Sequence, residues 1–307
     1  MPSVLFVKTS SLGDVVHNLP AVSDAARRLP GAEIDWIVEE GFAGVAALHA
    51  SVRRVIPVAI RRWRAALWRR LAWSEIGEFR RVLAAQRYDV VIDTQSLLKS
   101  ALLARCASGA RHGMDSASAR EALAARFYDV RHAVPRGLHA VERNRRLTAA
   151  ALGFSYGSEV DYGLRPPAAS AQSPYAVFLT MTSREDKLWP EARWVELGRA
   201  LALPLVLPWG SAAERGRAER IARGVGQASV PSRMTLPGLA GLFANAKAVV
   251  GLDTGLTHFA AALGAPTVGI YCGSDPALTG LYGAPRARNV GAKGRTPEPG
   301  EVMKNIS

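Results

Sequence analysis

The chain has 307 residues, 49% of them hydrophobic and 21% charged, an ordinary globular composition on a length that suits two domains of about 150 residues better than one. Lys and Arg number 39 against 26 Asp and Glu, a net charge of +13, which points to an anionic partner: nucleic acid, an anionic membrane surface or a phosphorylated lipid. Two widely spaced cysteines, Cys106 and Cys272, rule against a disulfide framework or metal spacing; the N-terminal apolar run covers only residues 4–7, too short for a secretory signal, and no run of 18 apolar residues provides a membrane span.

Residues 4–8 form a short β-rich run. A loop of cap and turn formers, 9–14, follows it. Val15, Val16, Leu19, Val22, Ala25, Ala26 and Leu29 then fall at helical spacing and predict one helix, stopped by Pro30-Gly31. Residues 34–38 and 88–93 read as further buried strands. The segment 160–174 is rich in Pro, Ala and Ser with no apolar period, and reads as a linker. The alternation then restarts, with strands at 175–180, 203–207, 246–252 and 267–271. Helices are expected at 190–201, 214–225 and 257–263, and a short one at 300–306. Strands alternating with helices imply parallel sheets covered by helices, in two halves, with a cleft between them as the natural ligand site.

The chemistry-bearing residues lie in loops at strand ends, where open α/β sheets bind ligands. In the first loop Gly13 is expected to permit a tight turn, and Asp14 lies at the start of the next helix. That position suits a helix cap. It also suits a base held ionised by backbone N–H groups and the helix dipole, acting late as an acceptor hydroxyl gains acidity. In the second half, Thr182, Ser183, Arg184 and Lys187 sit in a loop leading into a helix, an arrangement fit for a diphosphate. Asp253-Thr254-Gly255-Leu256-Thr257-His258 again joins a strand to a helix through Gly and offers backbone donors to phosphate or sugar; His258 is equally suited to the core. Pro208-Trp209-Gly210 ends a strand. Glu214 beyond it could bond a ribose diol, and Trp209 could pack near an adenine or be buried. No loop matches the dinucleotide fingerprint or the P-loop, and no paired metal carboxylates appear, so leaving-group charge is expected to fall to Lys187 and backbone N–H groups.

Two basic groups stand out. Arg53, Arg54, Arg61, Arg62, Arg64, Arg69 and Arg70 crowd together with Trp63, Trp68 and Trp73; Arg131, His132, Arg136, His139, Arg143, Arg145 and Arg146 form the second. Arg interleaved with Trp suits nucleic acid, an anionic lipid surface, or simply a solvated helix face.

The run Val7-Lys8-Thr9-Ser10-Ser11-Leu12-Gly13-Asp14-Val15 resembles glycosyltransferase family 9, the lipopolysaccharide heptosyltransferases. The likeness continues through Trp36–Ala43, Arg54–Arg64, Thr182–Pro190, Pro208-Trp209-Gly210 and Asp253–His258, nearly the whole chain. The first and last of these runs look like the type I branch. The resemblance implies a GT-B fold: α/β, two Rossmann-like domains with parallel sheets and an interdomain cleft. Residues 1–165 would take the acceptor and 166–307 the donor, with the last helix packing back on the first domain. It implies inverting, metal-independent transfer of heptose from ADP-L-glycero-β-D-manno-heptose to Kdo2-lipid A, with no cofactor. Asp14 would be the base and Lys187 the diphosphate contact. Thr182, Ser183, Trp209, Glu214, Asp253, Thr254, Gly255 and His258 would line the donor site. Ser10, Ser11, Gly13, Arg61, Arg62, Arg64, Lys99, Arg120, His139 and Arg143 would face the acceptor. Peripheral contact with the cytoplasmic face of the inner membrane is expected, and nucleic acid is not. Ala212-Ala213 departs from the family pattern and makes Glu214 the weakest match. A type II enzyme, a nucleic-acid-binding protein and a two-domain nucleotide-sugar epimerase remain as other readings of the same features.

Overall fold

The computed structural model describes residues 1–66, 68–165 and 173–306; positions 166–172 of the predicted linker lie outside them. The chain divides into two compact units, Met1–Gly163 and Leu164–Ser307.

The first unit contains strands β1 (Ser3–Val7), β2 (Glu33–Glu39), β3 (Val52–Val58), β4 (Arg87–Asp93), β5 (Ser108–Met114) and β6 (Val130–His132). Its helices are α1 (Leu12–Val16), α2 (Leu19–Arg28), α3 (Ala43–Ala46), α4 (Ile60–Ala65), α5 (Arg70–Ala84), α6 (Leu98–Ala104) and α7 (Ala140–Leu152). The six strands are all parallel, in the order β3-β2-β1-β4-β5-β6. The order reverses between β1 and β4, and ligands bind such sheets outside the strand ends at that reversal.

The second unit repeats the plan. Strands β7 (Ala176–Leu179), β8 (Leu205–Val206), β9 (Ala228–Ser229), β10 (Ala248–Leu252), β11 (Thr267–Tyr271) and β12 (Ala287–Gly291) alternate with helices α8 (Glu191–Leu201), α9 (Ala212–Val225), α10 (Leu236–Ala244), α11 (Gly255–Ala262), α12 (Pro276–Thr279) and α13 (Pro299–Met303). Their order is β12-β11-β10-β7-β8-β9, again parallel throughout, with the reversal between β7 and β10. Trp189, Trp194, Phe178, Leu197 and Val250 are fully buried in its core; each large apolar side chain so buried contributes about 1.5–3 kcal/mol. Helix α13 packs on α8, and Val302 enters this core. The last helix thus contributes to the core of the second unit.

Two local expectations are corrected. The single helix over 15–29 is two helices, because Pro20 lacks the N–H a continuous helix needs and sits instead in the first turn of α2, behind Asn18 at the N-cap. Gly13 does not make a left-handed turn: it lies inside α1, in ordinary helix. A glycine is required elsewhere. A Cβ on Gly251 would stand 2.2 Å from Thr257 Oγ1, and one on Gly273 would stand 2.6 Å from the backbone oxygen of Asp186.

Candidate active site

At the reversal in the first unit, the loop after β1 is clamped by the loop after β4. Gln95 Oε1 accepts the backbone N–H groups of Thr9 (3.0 Å) and Ser10 (3.2 Å), and Lys99 Nζ donates to Ser10 Oγ at 3.0 Å. Asp93, buried at the end of β4, accepts from Ser100, Tyr128 and the N–H groups of Gln95 and Ser96, which orients Gln95 in turn. Lys8 is 4% exposed. Its ammonium donates to Thr94 O (2.8 Å) and Asn144 Oδ1 (3.3 Å), while Asn144 Nδ2 donates to His17 O (2.9 Å), just beyond α1. Lys8, Gln95 and Asp93 carried no assigned role in the sequence reading; Lys8 stands inside the family-like run, whereas nothing local marks Gln95.

These groups hold α1, which presents Asp14. Asp14 Oδ2 accepts the Ser11 N–H at 2.8 Å, the backward half of a capping box, and Oδ1 accepts from Arg120 at 3.2 Å. Asp14 is therefore a cap as well as the predicted base. Burial alone would raise its pKa, but the Lys8 and Arg120 charges and the Ser11 N–H outweigh that and hold it below the ordinary carboxylate value. Burial pushes Lys8 down to about 8, against the pull of Asp14.

Arg120 thus stands beside Asp14. Arg143 is bonded to the Ser118 carbonyl oxygen, its Nε meeting no partner among the described residues, and burial with the nearby Arg136 and Arg120 charges lowers its pKa. His139 is the N-cap of α7, where Nδ1 accepts the Val141 N–H. Several members of the two basic groups are already engaged within the first unit. Arg53 and Arg54 converge on Asp35, whose side chain is 0% exposed. Arg145 is 1% exposed and bonds Asp24 (2.7 Å), Gly157 O and Glu159 O. Arg62 is held between Glu40 and Glu75, and Arg61 lies over the Phe42 ring. Arg64 has no acidic partner among the described residues.

At the reversal in the second unit, the loop after β7 meets the loop after β10. Lys187 Nζ donates to Asp253 Oδ2 at 2.6 Å, Ser274 Oγ to the same oxygen at 2.5 Å, and His258 Nε2 lies 3.3 Å from Oδ1. Burial would raise the Asp253 pKa; the bonds from His258, Lys187 and Ser274 overcome it and hold this carboxyl far below the carboxylate range. Thr182 Oγ1 donates to Asp253 O at 3.4 Å, whereas Ser183 is exposed. Arg217 braces both ends of the 180–189 loop by bonds to Thr180 O and Trp189 O. Thr254 and Gly255 begin α11, so its first N–H groups open beside Asp253. Ser274 and Arg217 were not foreseen: each lies outside the motif it supports.

The third loop of this unit that the sequence singled out follows β8. Trp209 Nε1 donates to Pro231 O, and Arg215 lies over its ring. Glu214 Oε2 accepts the N–H groups of Gly210 (2.6 Å) and Ser211 (3.3 Å), completing a capping box on α9. Its Oε1 has no partner among the described residues. Among the described residues no group of three His, Cys, Asp or Glu side chains could hold a metal ion, and no helix is long and apolar enough to cross a membrane.

The family description glycosyltransferase family 9 (heptosyltransferase) matches residues 76–306. The chain belongs to this family. A curated relative, lipopolysaccharide heptosyltransferase 1 of Pseudomonas aeruginosa, is 51% identical over 288 residues, spanning 91% of this chain and 81% of the relative. The solved E. coli heptosyltransferase WaaC with ADP superposes with a TM-score of 0.90 at 46% identity, over 99% of this chain and 97% of that one. The same enzyme with ADP-2-deoxy-2-fluoro heptose gives 0.86 at 45% identity, with the same coverage. The fold is thus GT-B, with two Rossmann-like units, and the protein is a glycosyltransferase.

Proposed function

We infer that the protein transfers L-glycero-D-manno-heptose from ADP-heptose to Kdo2-lipid A during assembly of the lipopolysaccharide inner core. The observation that carries this is the Lys187–Asp253–His258 constellation at the β7/β10 reversal. It offers an anchored ammonium and the N-terminus of α11 to a nucleotide diphosphate, in a chain 51% identical to a type I enzyme. That identity favours type I over type II. Neither nucleic-acid binding nor epimerisation accounts for Asp14 and Lys187 together.

In this reading Asp14 takes the proton of the acceptor hydroxyl while that oxygen bonds to the anomeric carbon and the carbon–diphosphate bond breaks on the opposite face, inverting the centre. The low pKa of Asp14 keeps it ionised, and it gains the proton late, as the attacking oxygen becomes acidic. Charge on the departing ADP falls to Lys187 and the N–H groups of α11, without a metal. Lys187 has three protons, of which one goes to Asp253, so the remainder can meet phosphate without dismantling the pair. Glu214 Oε1 takes the ribose and Trp209 flanks the adenine. Thr182, Thr254 and His258 complete the donor site. Ser10, Ser11, Lys99, Arg120 and Arg143 face the acceptor, with Arg61 and Arg64 toward its phosphates. A nucleotide-sugar donor and a membrane lipid acceptor place the work at the cytoplasmic face of the inner membrane, with the protein held there peripherally. The deciding experiment is a transfer assay with ADP-heptose and Kdo2-lipid A in excess chelator. Heptosylated lipid A is expected; a chelator-sensitive reaction overturns the metal-free mechanism, and no product at all overturns the assignment.

A further inference from the structure

Helices α4, α5 and α6 enclose a groove of about 390 Å³ on the first unit. Each helix supplies residues spaced three or four apart, so three adjacent faces line one channel. The floor is apolar: Trp63, Phe79, Leu102, Leu103 and Cys106. Trp63 and Phe79 belong to the core, while Leu102 is 49% exposed. Three cations, Arg64, Arg80 and Lys99, stand in the wall. None has an acidic partner among the described residues, although Arg62 and Arg81 nearby are paired with Glu75 and Glu78. Lys99 bonds Ser10 in the loop that presents Asp14, so the groove is continuous with the candidate acceptor face.

An apolar trough walled by cations without acidic partners, and joined to the candidate base, suits neither a sugar nor a nucleic acid best, since neither carries a long alkyl chain to fill it. It fits an acyl chain with anionic groups at its head. We propose that the groove between α4, α5 and α6 seats one acyl chain of the lipid acceptor, with Arg64, Arg80 and Lys99 taking the phosphate or carboxylate groups nearest that chain. The proposal deepens the functional reading above and rests on the acceptor being a lipid. Each methylene buried there strengthens binding by up to about fourfold.

Cys106 provides a direct readout, because the only other cysteine, Cys272, is buried in the second unit. The full-length protein is alkylated with and without lauroyl lysophosphatidic acid below its micelle concentration, with glycerol phosphate as the headgroup control. The lauroyl compound is expected to slow Cys106 alkylation several-fold and glycerol phosphate to leave it unchanged; equal rates with both overturn the proposal. Leu102→Glu, at a half-exposed site that tolerates a charge, is expected to abolish the protection. It should also raise KM for acylated acceptor about tenfold or more, leaving KM for de-acylated acceptor and for ADP-heptose unchanged. An equal effect on both acceptors overturns the groove. So does protein that binds anionic vesicles but shows no acyl protection, since that is surface adsorption alone. If the wild type heptosylates neither acceptor while protection persists, the functional reading fails and the groove stands.

Discussion

Lys187 Nζ and Asp253 Oδ2 lie 2.6 Å apart, the two residues coming from loops on opposite sides of the strand reversal in the second unit. A charge-assisted bond of this kind is worth about 1.5–3 kcal/mol. Lys187→Ala removes both the pair and the proposed phosphate contact. ADP-heptose KM is expected to rise about 10- to 100-fold, with a fall in kcat. Unchanged donor affinity by calorimetry with ADP would remove Lys187 from the diphosphate site. Asp253→Asn keeps the shape but loosens the ammonium, and a smaller rise in the same KM is expected.

Asp14→Asn is expected to cut kcat by about 10²- to 10⁴-fold, the usual weight of a positioned base, while ADP binding stays at the wild-type level. Near-normal turnover in this variant would assign the proton to another group.

With Asp14 as the proposed base, the charge of Lys8 is expected to reach activity through it. Because the Asp14 pKa is depressed, the acid limb of kcat/KM should fall below the ordinary carboxylate range. The stabilisation from that ionisation is present above the unfolded value and lost as pH falls through the folded one. Lys8→Met takes away a cation, so the acid limb should move to higher pH; an unmoved limb shows that Lys8 does not tune the base. Lys8 itself has a folded pKa of about 8 against 10.5 unfolded. Between those values the unfolded chain holds the proton that the folded chain has released, so this residue makes stability rise with pH across the window. Urea midpoints from pH 7.5 to 10.5 should show that rise in the wild type and a flatter curve in Lys8→Met.

The basic residues separate into binding and structural groups. Arg64→Ala should raise acceptor KM and leave donor KM unchanged. Arg62→Ala breaks exposed ion pairs with Glu40 and Glu75, contacts of small value, and should shift the melting temperature only slightly. Arg145→Ala leaves Asp24 buried without its partner and should cost about 3–5 kcal/mol in denaturant unfolding. Comparable losses in all three variants would contradict this division.

Gly273→Ala drives a methyl against the Asp186 carbonyl and must displace the loop that carries Lys187. Donor KM is expected to rise with little change in acceptor KM; a wild-type donor KM would show the loop to be indifferent to that contact.

The local geometry of the candidate strand-to-helix loops was legible because their residues are adjacent in sequence: Asp14 with its cap, and Asp253 with His258 five positions on. What failed to show was whatever needs the third dimension. Gln95 reaches Thr9 across 86 positions, Ser274 reaches Asp253 across 21 and Arg217 reaches Thr180 across 37; none of these distances has a local pattern. The strands β3, β5, β6, β9 and β12 escaped because they are edge or near-edge strands, short or carrying Arg and Ser where a central strand would be uniformly apolar. The Arg-rich runs misled for the opposite reason. Charge is visible in a sequence, but the buried acids Asp24 and Asp35 that neutralise Arg145, Arg53 and Arg54 are not visible as their partners.

One construction occurs twice. In each half a lysine from beyond the opening strand reaches over to the segment following the fourth: Lys8 to Thr94 O, and Lys187 to Asp253. The first is sealed at 4% exposure, a rivet that no ligand reaches and whose charge acts only on its neighbours. The second keeps 18% of its side chain open to water, the opening that the proposed diphosphate contact needs. A single architectural device thus yields a fixed joint on one side of the chain and a working latch on the other, the difference being how much solvent each ammonium still sees.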